Sequence, residues 1–235
     1  MVHLDGNTLD SLWDFSDPTT SEIRFREALC SLSSSSPAAD ELRTQIARAL
    51  GLQGQFAEGH TVLDGISSTD AVVRQRIALE RGRLFNSAGD PTAARGYFLE
   101  ARQLAADPFL TVDALHMLAI VEPELDTWYT EGIAIVAESS DPRVQRWEGS
   151  LRNNQAWNLA DAGREEDALA AFRDAEMWFG EHGTSEQLRI ARWSVAHMLR
   201  RCGHTDEARA ILEELCDQGD ADRYVDEELA LLAGE

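Results

Sequence analysis

The chain has 235 residues, of which 42 are Asp or Glu and 21 are Lys or Arg, giving a formal net charge of −21 near neutral pH. With 43% hydrophobic and 27% charged residues, the composition is that of a folding domain and not of a disordered acidic tail. Such an acid excess repels nucleic-acid phosphates and anionic membrane surfaces, so neither is an expected partner.

All 21 basic residues are arginine, which excludes Schiff-base lysine chemistry and the phosphate-binding lysine of a P-loop. Each positive charge is instead a planar fork suited to two-point binding of carboxylates. The opening Met1-Val-His-Leu-Asp-Gly has neither the basic start nor the apolar stretch of a secretory signal. No apolar run approaches the roughly twenty residues of a membrane span. Cys30, Cys202 and Cys216 form no CxxC pair, and the expected compartment is the cytoplasm.

Five of the six prolines follow Ser or Asp, at Asp17-Pro18, Ser36-Pro37, Asp90-Pro91, Asp107-Pro108 and Asp141-Pro142. Each pair predicts an N-cap with Pro in the first helical turn. No stretch shows the alternating β-branched pattern of a strand, so the chain reads as all-α. The segments starting at Asp17 and Asp90 match at Asp, Pro, Thr, Phe, Glu and Ala in register, which points to a duplicated helical hairpin.

Taken in chain order, the hairpins repeat one spacing around a turn residue: a small residue seven before it, a large one four before, then small, large, and small or aliphatic at five, nine and twelve after. Near 2–32 the set is Leu9, Leu12, Ser21, Phe25 and Ala28 around Ser16, with Leu9 large where a small residue is expected. Near 37–67 it is Ala47, Leu50, Gly59, Leu63 and Ile66 around Gly54; near 70–106 it is Gly82, Phe85, Ala94, Phe98 and Ala101 around Gly89. Near 142–181 stand Ala156, Leu159, Ala168, Phe172 and Ala175 around Gly163, and near 185–217 Ala196, Leu199, Ala208, Leu212 and Leu215 around Gly203. Between the third and fourth sets lies a gap of two repeat lengths. It predicts a further hairpin near 109–140, with helices over Leu110–Val121 and Leu125–Ala137 broken at Pro123. A helix over Ala221–Leu232, with Asp220 as N-cap, is expected to cover the end.

Small residues at these places let two antiparallel helices approach closely, and large ones fill the space between hairpins. The glycine ends the first helix in the left-handed conformation. The spacing resembles the tetratricopeptide repeat (TPR), and the opening Leu12-Trp-Asp-Phe, Asp17-Pro and Phe25-Arg are similar to the start of certain bacterial TPR proteins. That resemblance implies a right-handed superhelical solenoid of about 13 helices, a single domain over 1–235, with first helices on a concave face and second helices on a convex one.

Over fourteen residues on either side of the five turns, first helices carry ten arginines and seven acids, a net +3. Second helices carry seven arginines and seventeen acids, a net −10. If family geometry holds, Arg48, Arg83, Trp157 and His197 (six before their turns), Asn86 and Arg200 (three before) and Asn153 and Trp193 (ten before) line the groove, with Arg76 and Asn154 beside them. Trp and Arg are enriched at binding hot spots. Such a groove suits a peptide with an acidic side chain or a free carboxylate. The Lys and Asn clamp of chaperone-binding TPR proteins does not carry over, because Ile190 and Ser194 stand where cations are needed.

No HExxH, GxSxG, GxGxxG, P-loop or EF-hand pattern occurs. His197, Cys202, His204 and Cys216 match no common zinc spacing, so neither metal nor cofactor is expected. The sequence reads as a non-enzymatic module that binds a protein or peptide. The alternatives are a self-assembling homo-oligomer, or a regulatory subunit of an enzyme or transcription factor on another chain.

Overall fold

A computed structural model describes residues 3–123, 127–219 and 222–234, which are helical with no strand among them. The chain divides into two compact units, Met1–Glu122 and Pro123–Glu235. The first unit contains α1 (Gly6–Leu12), α2 (Pro18–Cys30), α3 (Pro37–Leu52), α4 (Phe56–Asp64), α5 (Ala71–Ser87), α6 (Pro91–Leu104) and α7 (Pro108–Val121). The second contains α8 (Thr127–Glu138), α9 (Pro142–Gln145), α10 (Trp147–Asp161), α11 (Glu165–His182), α12 (Ser185–Arg201), α13 (Thr205–Asp217) and α14 (Arg223–Ala233).

Local chemistry explains the helix starts. Asp17, Ser36, Asp90, Asp107 and Asp141 each accept a backbone N–H of the first turn, from Thr20, Ala39, Ala93, Leu110 and Arg143, at 2.8–3.2 Å. Pro follows in every case, supplying a helical φ where no N–H is needed. The fifth signal starts only α9, a four-residue helix separated from α10 at Arg146. This extra segment takes the described helices to fourteen.

Turn glycines behave as the spacing requires. Gly54, Gly89, Gly163 and Gly203 have φ of 76°, 87°, 75° and 82°, values that cost other residues strain. Ser16 does not: among the described residues Ala105 is the one non-glycine with positive φ. Its turn is held by Asp14, whose side chain accepts from Ser16 N at 3.1 Å and Ser16 Oγ at 2.6 Å. Gly219, with φ 80°, forms a further left-handed turn after α13.

Within each hairpin the small positions are points of closest approach. Ala47, Ala156 and Ala196 are fully buried seven before their turns, as are Ala94, Ala168 and Ala208 five after. A Cβ at Gly82 would overlap the Phe98 ring, and one at Gly59 would stand 3.2 Å from Ala47 O of its own hairpin and 2.9 Å from Leu84 Cδ2 of the next. The large residues nine after the turns, Phe25, Leu63, Phe98, Phe172 and Leu212, lie at the centre of the cores. Burying each of these large side chains stabilises the fold by roughly 1.5–3 kcal/mol.

The region without a glycine signature contains two helices. α7 belongs to the first unit and α8 to the second. The expected start at Leu125 lies outside the described residues, as do Asp220 and Ala221 at the expected start of the terminal helix. α14 runs from Arg223, and its N-cap is Asp222, which accepts from Tyr224 N at 2.8 Å and Val225 N at 3.1 Å.

Candidate functional site

The first helices of each unit carry most of the expected groove residues. In the first unit, α3 packs against α5, and α5 against α7. Arg83 of α5 donates to Glu80 Oε1 at 2.7 Å and to Asp113 on α7. Glu80 and Asp113 are 2% and 3% exposed, so this is a buried ion triad. Burial works against the Arg83 charge, but Asp113 and Glu80 outweigh it and raise the guanidinium pKa above its ordinary value. Asp113, also opposed by burial, is held below the usual carboxylate range by Arg83 and then Arg48.

Arg76 is buried, with its Nε 3.9 Å from Glu41 Oε1. Glu41 is held at its other side by His3 Nδ1 at 2.8 Å and Leu4 N at 2.9 Å. Arg48 differs from both. Its guanidinium carbon lies 5.3 Å from the ring centres of Trp13 and Phe15, which stack on each other. Burial and then the neighbouring Arg83 charge lower its pKa, against the opposing pull of Glu80 and Asp113. Arg48, Gly51 and Leu52 of α3, Glu80, Arg83, Leu84 and Ser87 of α5 and Met117 of α7 line an open pocket of about 150 Å³. Asn86 is half-buried on α5, one turn before Gly89.

In the second unit Trp157 of α10 meets Trp193 and His197 of α12 in one aromatic cluster. The ring centres are 6.2 Å apart between the tryptophans, 5.6 Å from Trp157 to His197, and 5.3 Å in the Trp193–His197 stack. Trp157 also meets the buried Phe172 edge-on at 4.9 Å, so its inner edge belongs to the core. Trp193 Nε1 and Asn153 Oδ1 are buried without a hydrogen-bond partner. Asn154, next to Asn153 in sequence, is half-buried.

His197 and Arg200 converge on one carboxylate, and it belongs to α14. Glu228 Oε1 lies 2.7 Å from His197 Nδ1, and Glu228 Oε2 accepts from Arg200 Nε at 2.6 Å. Burial opposes the charge of Glu228, but these two partners bring its carboxyl down to about 2. The terminal helix therefore supplies an acid to a place expected to receive one from a ligand. Glu228 was not legible as a functional residue, although its place between Val225 and Leu232 on the buried stripe of α14 was a signal.

Among the described residues, no three His, Cys, Asp or Glu side chains are grouped to hold a metal ion. Cys202 and Cys216 pack against the core of the second unit. No described helix is long and apolar enough to cross a membrane.

The fold defined by these hairpins is the TPR-like helical repeat. BtubC (BKLC) from P. vanneervenii is similar to 95% of this chain over 94% of its own length, with a TM-score of 0.68 and 14% identity. The nearly identical TPR-like repeats of a Podosopora anserina protein named for kinesin light chain match 81% of this chain over 94% of theirs, with a TM-score of 0.55 and 15% identity. A variant form of those repeats matches 79% over 96%, with a TM-score of 0.56 and 14% identity. No protein-family model and no curated protein matches the sequence.

Proposed function

We propose that the chain is a non-enzymatic interaction module of the cytoplasm, whose first helices receive a peptide or protein segment from a partner. The observation that carries this reading is the half-buried Trp157–Trp193–His197 cluster, with the unpaired Trp193 Nε1 and Asn153 Oδ1 on adjacent first helices. An unpaired buried polar group costs about 1–3 kcal/mol. A peptide main chain brings both the acceptor that Trp193 lacks and the donor that Asn153 lacks. TPR-like neighbours support the architecture and leave the partner to experiment.

The test is affinity capture from the native cell with mass spectrometry, comparing the wild type with Trp193→Phe. That variant keeps an aromatic ring and removes the N–H. A partner retained several-fold less by Trp193→Phe supports the reading, and equal retention contradicts it.

Self-assembly is the second reading, favoured by Tyr224 and Leu231, which are 49% and 50% exposed on α14. Light scattering at low concentration separates the two. A monomer supports partner binding, and a stable oligomer supports self-assembly.

A further inference from the structure

Of the ten arginines on the first helices, Arg43, Arg76, Arg81, Arg83, Arg152, Arg189, Arg192, Arg200 and Arg201 each have a carboxylate oxygen at 3.9 Å or closer. Among the described residues Arg48 has none. Its contacts are the faces of Trp13 and Phe15, which fix the plane of the guanidinium and satisfy none of its N–H groups.

The repeat itself shows what is missing. Arg48, Arg83 and His197 stand at the same place, six residues before the left-handed glycine. Arg83 receives an acid thirty residues further on, Asp113, from the next first helix. His197 receives one thirty-one residues further on, Glu228, again from the next first helix. Counted the same way from Arg48, α5 offers Ala78 and Leu79, both apolar and buried. The chain fills two of these places with its own carboxylate and leaves the third open to an adjoining pocket.

We propose that Arg48 is the acid-receiving residue of the first unit, taking the carboxylate of a Glu or Asp side chain in a bound peptide. The peptide's neighbouring apolar residue lies on Leu52 and Met117. Leu52 is 51% exposed, and both side chains line the pocket. Charge complementarity selects the occupant. Glu80 also lines the pocket and Asp113 stands near it, but both accept from Arg83, so a ligand carboxylate gives the Arg48 fork the two-point partner that neither supplies. A cationic or purely apolar peptide does not. The inference rests on the peptide-binding reading and adds to it a residue and a ligand chemistry.

The experiment uses short acetylated and amidated peptides, each with one Glu beside Leu or Met, and their Gln twins, labelled for fluorescence polarisation with the full chain. Wild type is expected to hold Glu peptides about tenfold more tightly than the twins, the scale of one charge-assisted hydrogen bond. Arg48→Gln is expected to abolish that preference, and Arg48→Lys to keep part of it. Arg173→Gln, on the exposed side of α11, is expected to leave it unchanged. Ala78→Asp gives an independent arm: an internal acid for Arg48, which also abolishes the preference.

Circular dichroism identifies any variant that fails to fold, and the remaining arm then decides. A Glu preference that survives in folded Arg48→Gln or Ala78→Asp overturns the proposal. So does a change of solution mass caused by Arg48→Gln, which makes a second copy the occupant. Peptides bound without a Glu preference overturn the inference and leave the peptide-binding reading standing; no binding by wild type at millimolar peptide overturns both.

Discussion

Glu228 bridges His197 and Arg200, with one oxygen 2.7 Å from the imidazole Nδ1 and the other 2.6 Å from the guanidinium Nε. It joins α14 to α12 through a side chain only 5% exposed. A terminal helix that merely covered an apolar end would need no such acid, so α14 continues the polar contacts of the first helices as well as their packing.

The bridge predicts a pH-dependent stability. Burial opposes the carboxylate, but His197 and Arg200 prevail and bring its carboxyl to about 2, from an ordinary 4.5. A carboxyl held lower in the folded than in the unfolded chain contributes stability that is complete above the unfolded value and lost as pH falls through the folded one. Glu228→Gln is therefore expected to cost about 2 kcal/mol near neutral pH. The difference from wild type should shrink as pH falls from 4.5 toward 2. Urea denaturation at a series of pH values measures it, and a pH-independent difference would refute the assignment.

The Arg83–Asp113 pair is buried, so removing one partner strands the other charge. Either Arg83→Met or Asp113→Ala is expected to cost about 3–5 kcal/mol, and the double variant less than the sum. A double-mutant cycle by chemical denaturation reads the coupling. Strict additivity would mean that the two side chains do not depend on each other. Alanine at Arg83 or Arg200 is for the same reason a poor probe of ligand binding, since it exposes Asp113 or Glu228 to the loss of a partner.

Two glycines in one hairpin should respond with opposite sign. At Gly82 a Cβ would overlap Phe98, so Gly82→Ala is expected to lose about 1–3 kcal/mol by overpacking. At Gly96, in the exposed middle of α6, a Cβ would meet nothing within 4 Å. There Gly96→Ala is expected to gain about 1 kcal/mol from helix propensity. Thermal unfolding of the two variants decides whether the hairpin contact, and not glycine itself, sets the requirement.

The cysteines should differ in reactivity. Cys30 is exposed at the end of α2, whereas Cys202 is half-buried. Burial, then Glu166 and Glu165, push the Cys202 thiol up. Alkylation of the native protein is expected at Cys30 first, with Cys202 gaining as pH rises. Peptide mapping after brief iodoacetamide treatment gives the order.

The repeat was legible because helix contact is local. Each turn glycine, its two small neighbours and its large one lie in one stretch of sequence, and Gly82 against Phe98 shows why the spacing has to hold. The five caps were legible for the same reason. Ser16 broke the pattern because a side chain, Asp14, replaces the backbone freedom of glycine there, and Gly219 went unseen because Leu212 seven before it is large and Glu228 nine after it is charged, where the spacing needs a small and a large apolar residue. The site was less legible. Its polar contacts join residues about thirty apart on neighbouring first helices, as Arg83 joins Asp113 and His197 joins Glu228, and composition alone does not reveal which arginine is already filled. Those partners distinguish Arg48 from the other arginines.

The claim that the first helices form the binding face can be tested by footprinting a captured partner. With Cys30, Cys202 and Cys216 replaced by Ala, a single cysteine is placed at Ser87, on the rim of the Arg48 pocket, or at Gly96, on the outer side of α6. Saturating partner should slow alkylation at Ser87→Cys several-fold and leave Gly96→Cys unchanged. Protection at Gly96→Cys with none at Ser87→Cys would place the partner on the second helices and contradict the account.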